Sequence, residues 1–121
     1  MELNQTKIID QVDEKAIVDL ASELIKIPSF KLEETPVATF LAEFFAERGY
    51  KVDLQEVEQG RFQTIATLEG TGGGPSLMLN GHTDINSLSR RWRRDPWVPV
   101  VEGDRLYGHG VQNMKGGLTS V

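Results

Sequence analysis

Apolar positions near the start of the chain recur every three or four residues. They form one stripe that comprises Ile17, Leu20, Ala21, Leu24 and Ile27. This is the spacing of an amphipathic α-helix. Asp13 is a residue type that caps helix starts, and Pro28 enforces a stop. The pattern therefore predicts a helix over residues 14–26.

A second helix is indicated by its end signals. Thr35 can cap it, Pro36 suits the first helical position, and Gly49 suits the left-handed residue after the end. Between these signals lies an apolar stripe made of Val37, Phe40, Leu41, Phe44 and Phe45. An aromatic stripe at helical spacing is typical of a core contact, so we interpret it as core.

The pattern then changes to that of strands. Residues 50–57 alternate in part, residues 58–60 suit a short turn, and residues 62–68 indicate the returning strand of a hairpin. After a glycine-rich loop, residues 76–80 form a nearly continuous apolar run, which is typical of a strand buried in an α/β layer. That loop does not fit a phosphate-binding motif, because its glycines precede a strand instead of opening a helix.

Composition narrows the class of protein. The 121 residues have room for one domain with a modest core. No apolar run approaches the roughly 20 residues that span a bilayer, and residues 1–5 lack the features of a secretory signal. The chain has no cysteine, which excludes disulfides and thiolate metal sites and suits a reducing compartment. We therefore expect a cytoplasmic protein that does not engage a membrane.

Charge is unevenly distributed along the chain. Residues 1–60 hold six Lys/Arg against thirteen Asp/Glu, and the whole chain has a formal net charge of −5. This acidity argues against non-specific nucleic-acid binding, which depends on phosphate neutralisation. The basic residues Arg90, Arg91, Arg93 and Arg94 surround Trp92. Two interpretations stay open for this cluster: a solvated loop, or an entrance that attracts a substrate carboxylate.

His82 and Asp84 follow the predicted strand 76–80 directly. Ligands of α/β proteins gather at the carboxyl ends of strands. If the backbone stays extended, both side chains point to the same side, where the imidazole can bind a metal and the carboxylate can orient the ring. The alternative is an ordinary histidine–aspartate hydrogen bond at a strand end.

A second candidate stretch is the glycine-rich segment 107–117. Its four glycines permit sharp turns and close approach of the backbone to another group. It fits neither a P-loop, since Lys115 precedes two glycines, nor a dinucleotide fingerprint, since Asn113 stands where a third glycine is needed. We interpret Lys115 as a structural residue of this loop, because no partner that would make it a base is apparent.

Together these stretches resemble one family. The matching segments are Leu77–Asp84, Trp92, Asp95–Trp97, Glu102–Gly110 and Asn113–Gly117. Their order and spacing are similar to those of the di-zinc exopeptidases and deacylases, which include acetylornithine deacetylase, succinyl-diaminopimelate desuccinylase, aminoacylase and glutamate carboxypeptidase. The resemblance implies metal-assisted hydrolysis of the amide bond of an N-acyl amino acid or small peptide.

The resemblance also assigns roles to residues. His82 matches the first zinc ligand, and Asp84 matches the aspartate that positions this histidine and supports catalysis. Asn113 stands where the family usually has an aspartate that bridges two zinc ions. A carboxamide is neutral and cannot bridge two cations in this way, so we expect one well-occupied zinc site or two weak ones. Cobalt or manganese would suit these ligands equally. His109 is a second departure, since arginine is common there; a solvent-facing or loop-packing role is expected over that of a substitute ligand.

The resemblance implies that the other parts of the active site lie beyond residue 121. These parts are the general-base glutamate, the remaining ligands, and a smaller lid and dimerisation domain. We therefore expect residues 1–121 to be the N-terminal portion of an α/β zinc-exopeptidase-like catalytic domain, with a mixed sheet and flanking helices. We expect this portion to be inactive alone and the full protein to be a homodimer. Two alternatives stay open: a non-catalytic truncated remnant, and a small binding domain.

Overall fold

The computed structural model describes residues 5–121. Residues 1–4, which carry most of the argument against a secretory signal, lie outside the described residues. The described chain contains helices α1 (Gln5–Ile9), α2 (Glu14–Ile25) and α3 (Thr35–Ala46), strands β1 (Lys51–Glu58), β2 (Arg61–Thr67), β3 (Val100–Glu102) and β4 (Arg105–Tyr107), an irregular helical turn (Val111–Lys115) and the short helix α4 (Gly116–Leu118). Within this range no helix is long and apolar enough to cross a membrane.

Helices α2 and α3 form as predicted. The Asp13 carboxylate accepts a hydrogen bond from the backbone N–H of Ala16, which caps the start of α2. Pro36 lies in the first turn of α3, but the predicted cap at Thr35 is wrong: Glu34 occupies the capping position, and the Thr35 hydroxyl donates to the Gly60 carbonyl instead. Gly49 has a φ of 80°, which is the left-handed conformation expected of the residue after a helix.

The core lies between α2, α3 and α4. Leu24, Val37 and Leu41 are buried at its centre, and the residues packed partly against them are Leu20, Ile27, Phe40, Phe45 and Leu118. Most of the predicted stripes of both helices therefore face the core. Ile17, Ala21 and Phe44 lie outside this cluster, although Ala21 is buried; the Phe44 ring packs against the Arg48 guanidinium, whose central carbon is 3.5 Å from the ring centre.

The two sheets are both antiparallel hairpins. Strands β1 and β2 pair from Lys51–Thr67 to Glu58–Arg61, as predicted, and α3 packs on this hairpin. Strands β3 and β4 form a second hairpin, which the sequence patterns did not predict. The chain is thus α/β in class, but the mixed sheet is not formed by the described residues.

The predicted buried strand 76–80 is wrong for this structure. Residues 76–80 form no strand, and Leu77 and Met78 are 83% and 82% exposed. A continuous apolar run becomes a buried strand only when neighbouring strands pair with it and layers cover both faces. Within residues 5–121 no strand pairs with this segment. Among the described residues, the bridge nearest to the run is a parallel one between Phe30 and Ile85, just after it.

Candidate metal centre

The segment that carries His82 is held beside Ser29, four residues past the end of α2. Ile85 donates its backbone N–H to the Ser29 carbonyl at 2.9 Å, and the Ser29 hydroxyl donates to the Thr83 carbonyl at 2.6 Å. Ser29 is completely buried and Ile85 is 4% exposed. These two bonds fix the backbone on both sides of Asp84.

His82 has a defined orientation because both of its ring nitrogens have neighbours. Nδ1 lies 3.1 Å from the Asp84 carbonyl oxygen and 3.2 Å from the Asp84 carboxylate. Both oxygens only accept hydrogen bonds, so the neutral tautomer with its proton on Nδ1 donates to Asp84 and presents the Nε2 lone pair, whereas the other tautomer donates from Nε2. The two side chains therefore lie on the same side, as an extended backbone predicts. His82 and Asp84 remain partly accessible, at 44% and 45% exposure.

Asn113 faces the other ring nitrogen. Its Oδ1 lies 2.9 Å from Nε2 of His82. The backbone N–H of His82 also meets the sulphur of Met114, at 3.4 Å. The structure thus brings His82, Asp84 and Asn113 together, although the metal and catalytic roles of these residues stay predictions.

The predicted close approach of glycines is confirmed at Gly108 and Gly110. A Cβ on Gly108 would lie 2.5 Å from Cδ1 of Ile25, and a Cβ on Gly110 would lie 2.5 Å from Cγ2 of Ile85. Gly110 also has a φ of 83°, which other residues rarely adopt. These glycines let the backbone before Asn113 pack directly against α2 and the His82 segment.

Lys115 ends the turn that contains Asn113, and it is completely buried. Its ammonium donates to the carbonyls of Leu24 and Ile27 at 2.7 and 2.6 Å. Burial lowers the pKa of Lys115 to about 8. The structural role inferred from the sequence agrees with these contacts, but no sequence pattern indicated that the partners are the carbonyls at the end of α2.

His109 packs in an aromatic cluster. Its Nε2 donates to the Asn86 carbonyl at 2.7 Å, and its ring contacts those of Phe30, Trp92 and Trp97 at centroid distances of 5.5–6.4 Å. The backbone N–H of His109 donates to the Pro96 carbonyl. These contacts are those of a loop-packing residue, and they leave Nε2 committed to a carbonyl.

The basic cluster divides into two parts. Arg94 is tied to the second hairpin, since its guanidinium bonds to Glu102 at 3.0 Å and lies 4.8 Å from the centre of the Tyr107 ring. Arg90, Arg91 and Arg93 are exposed. A cavity of about 290 Å³ lies between this region and Asn113, and Trp92, His109 and Gln112 are among its lining residues.

Comparison with curated proteins identifies the family. The chain is 37% identical over 103 residues to a succinyl-diaminopimelate desuccinylase of a Methylobacterium species, which covers 82% of this chain and 26% of that protein. It is 31% identical over 102 residues to the Anaplasma marginale desuccinylase, covering 84% of this chain and 27% of the relative. It is 29% identical over 124 residues to a Bacillus subtilis N-formyl-4-amino-5-aminomethyl-2-methylpyrimidine deformylase. This match covers 97% of this chain and 29% of that protein.

The chain belongs to the exopeptidase and deacylase family that includes succinyl-diaminopimelate desuccinylase. No family model matches it. The chain spans between 26% and 29% of the length of these three relatives.

The donor atoms of this family member fit part of a metal site. A neutral imidazole nitrogen and an amide oxygen are both suitable metal ligands. Two ligands on one tetrahedral zinc ion lie roughly 3.3–3.5 Å apart, given zinc–ligand bonds of about 2.0–2.2 Å. The observed 2.9 Å between Nε2 and Oδ1 is about 0.5 Å shorter and equals an ordinary hydrogen-bond length, so the two atoms would have to separate slightly to hold one ion. However, residues 5–121 contain no group of three His, Cys, Asp or Glu side chains that could hold a metal.

Proposed function

We propose that the complete protein is a metal-dependent hydrolase of the amide bond in N-acyl amino acids or small peptides, of the deacetylase or carboxypeptidase type. Residues 1–121 would form the N-terminal portion of its catalytic domain and would not hydrolyse such substrates alone. The observation that carries the proposal is the approach of His82 Nε2 to Asn113 Oδ1 at 2.9 Å, in a chain that belongs to this family.

The proposal gives each of the three residues a task. His82 would bind the metal through Nε2, because its Nδ1 proton is held by Asp84. Asp84 would keep the ring in that tautomer and orientation, which metal-bound histidines commonly require. Asn113 would contribute its amide oxygen. When bound, the metal would supply a water of pKa about 7 and polarise the scissile carbonyl.

The expected number of metal ions depends on the side-chain chemistry of Asn113. A carboxylate offers an anionic oxygen to each of two cations, whereas a carboxamide offers one neutral oxygen. Zinc, or cobalt or manganese in its place, would therefore occupy one site well or two sites weakly. Further ligands and the general base would come from parts of the protein outside residues 1–121, as the greater length of the relatives suggests.

The test uses the complete gene product, freed of metal and titrated with zinc. We expect one tight equivalent and hydrolysis of at least one substrate in a panel of N-acetyl, N-succinyl and N-formyl amino acids. His82→Ala should abolish both, while Asp104→Ala, at a side chain that is 96% exposed, should change neither. Two tight equivalents would refute the stoichiometry, and hydrolysis by purified residues 1–121 that His82→Ala abolishes would refute the inactivity of this portion.

A second candidate is a non-catalytic remnant of the family, and Asn113 is the observation that favours it. Asn113→Asp in the complete gene product separates the two functions. Activity that appears only in this variant would identify a remnant that lost its bridging carboxylate. Activity of the natural protein that falls or stays level in the variant would identify an enzyme adapted to asparagine.

The proposed partners follow from the same chemistry. We expect a small N-acyl amino acid or peptide as substrate, a cytoplasmic location and a homodimer. We expect no nucleic-acid or membrane partner, since the chain carries a net charge of −5. The exposed residues Arg90, Arg91 and Arg93 suit the attraction of a substrate carboxylate.

A further inference from the structure

Lys115 is a buried cation whose bonds go to the backbone of another element. The last carbonyls of a helix have no partner within the helix, and they carry the negative end of its dipole. The Lys115 ammonium donates to two carbonyls here, that of Leu24 in the last turn of α2 and that of Ile27 two residues past its end. No carboxylate within residues 5–121 forms an ion pair with it.

This contact fixes one end of the turn that carries Asn113. The backbone N–H of Lys115 donates to the Gly110 carbonyl at 3.0 Å, which closes the turn over residues 110–115. The other end is fixed by the packing of Gly110 against Ile85. The Asn113 side chain makes one polar contact in the described structure, with His82. Its position therefore depends on how the two ends of the turn are held.

We infer that Lys115 is a positioning residue that sets the distance between Asn113 and His82 by anchoring the Asn113 turn to the end of α2. The inference deepens the proposed function, because this distance would define the donor pair for the metal. The anchoring itself is a property of the metal-free chain. It can therefore be tested whether or not the protein binds metal.

The first test measures the ¹⁵N resonance of His82 Nε2 in the complete gene product without metal. The protein is labelled with ¹⁵N-histidine and kept in chelator at one fixed pH. We expect Lys115→Met to move the His82 Nε2 resonance to its value in Asn113→Ala, because the contact between the two side chains is lost. Lys26→Met is the matched control, since Lys26 lies at the same end of α2 but is half exposed and pairs with Glu23. It should leave the resonance in place.

An unchanged resonance in folded Lys115→Met protein would overturn the inference. If that variant does not fold, Lys115→Gln replaces it, because glutamine keeps an N–H donor on a side chain one bond shorter. Glutamine can reach at most one of the two carbonyls at full strength, so the resonance should lie between those of the natural protein and Asn113→Ala. A resonance identical to that of the natural protein would again overturn the inference.

The second test adds cobalt and follows its visible absorption. Lys115→Met should weaken cobalt binding by about tenfold or more, as loss of a supporting residue commonly does, and should alter the spectrum of the bound ion. Lys26→Met should bind as the natural protein does. Absence of cobalt binding by the natural protein would refute the proposed function, while the ¹⁵N measurement would still decide the role of Lys115. Unaltered affinity and spectrum in Lys115→Met would refute the positioning role.

Discussion

Nε2 of His82 lies 2.9 Å from Oδ1 of Asn113, a residue 31 positions further along the chain. With the Nδ1 proton of His82 directed at Asp84, both of the facing atoms are hydrogen-bond acceptors. Two acceptors at this distance repel each other unless a cation lies between them, the amide turns over, or the ring proton moves to Nε2. In this tautomer the pair is arranged as two ligands of one cation would be, in line with the proposed function, whereas in the other tautomer it is an ordinary hydrogen bond.

Asparagine has an alternative that aspartate lacks. A half-turn about its last torsion exchanges the amide oxygen and nitrogen, after which the amide N–H can donate to Nε2. Asn113 can thus satisfy His82 without metal, and a metal ion must displace that hydrogen bond when it binds. This competition is a second reason, besides the missing charge, to expect weaker metal binding than an aspartate would give.

The first prediction concerns Asp84→Ala. The backbone carbonyl of residue 84 still accepts from Nδ1, so His82 keeps its tautomer, but the ring loses the carboxylate that orients it. Metal affinity of the complete gene product should fall about 10- to 100-fold without vanishing. Competition with a chromophoric zinc chelator measures this change, and Asp104→Ala is the control. Equal affinity in the Asp84 variant and the control would refute the role given to the carboxylate.

The second prediction concerns Ser29→Ala. The change leaves the Thr83 carbonyl without the buried hydroxyl that donates to it at 2.6 Å. We expect the free energy of unfolding to fall by about 1–3 kcal/mol, the usual cost of an unsatisfied buried group. Urea unfolding measures it, with the exposed Ser87→Ala as control. A loss no larger than that of the control would show that Ser29 does not hold the His82 segment.

The elements that the sequence predicted correctly are those whose signals are local. Helix α2 has its capping Asp13 and a stripe at helical spacing, and the first hairpin has two runs of residues around Gly60, whose φ is 75°. In each case the residues that carry the signal and the element that it predicts lie within about ten positions of each other in the sequence. The juxtaposition of His82 and Asp84 has the same origin, because only one residue separates them.

The features that the sequence did not predict correctly depend mostly on contacts between segments that are far apart in the sequence. The apolar run 76–80 has the composition of a buried strand, yet burial depends on partner strands, which its own residues do not encode. The second hairpin was missed because each of its strands has only three residues, although Gly103, with a φ of 61°, marks its turn. The partners of Lys115 lie 88 and 91 positions away in the sequence, so no local pattern reveals them.

The third prediction concerns Gly110→Ala. The new Cβ would meet Ile85 at 2.5 Å, and the residue would have to keep a φ of 83°. The left-handed backbone and the overpacking together should cost about 2–4 kcal/mol of unfolding free energy. Gly70→Ala is the matched control, because no atom lies within 4 Å of the point that its Cβ would occupy, and it should change stability by less than about 0.5 kcal/mol. Equal urea midpoints for the two variants would contradict the close packing at Gly110.

The fourth prediction concerns pH and the ion pair that joins α3 to the first hairpin. The Arg61 guanidinium donates to both carboxylate oxygens of Glu34, at 3.0 and 3.3 Å, and the Leu32 N–H donates to the same group at 3.0 Å. Burial acts to raise the pKa of Glu34, but these hydrogen bonds outweigh it and lower that pKa below its ordinary value of 4.5.

The sign of the effect follows from proton linkage. The unfolded chain binds a proton at Glu34 at a higher pH than the folded chain does, so the ion pair stabilises the fold fully above pH 4.5 and less as the pH falls through the lower, folded pKa. Urea unfolding between pH 6 and pH 3 should therefore show a steeper loss of stability in the natural protein than in Glu34→Gln. The exposed Glu33→Gln should keep the natural slope. Parallel slopes for the natural protein and Glu34→Gln would mean that this ion pair does not contribute to the acid sensitivity of the fold.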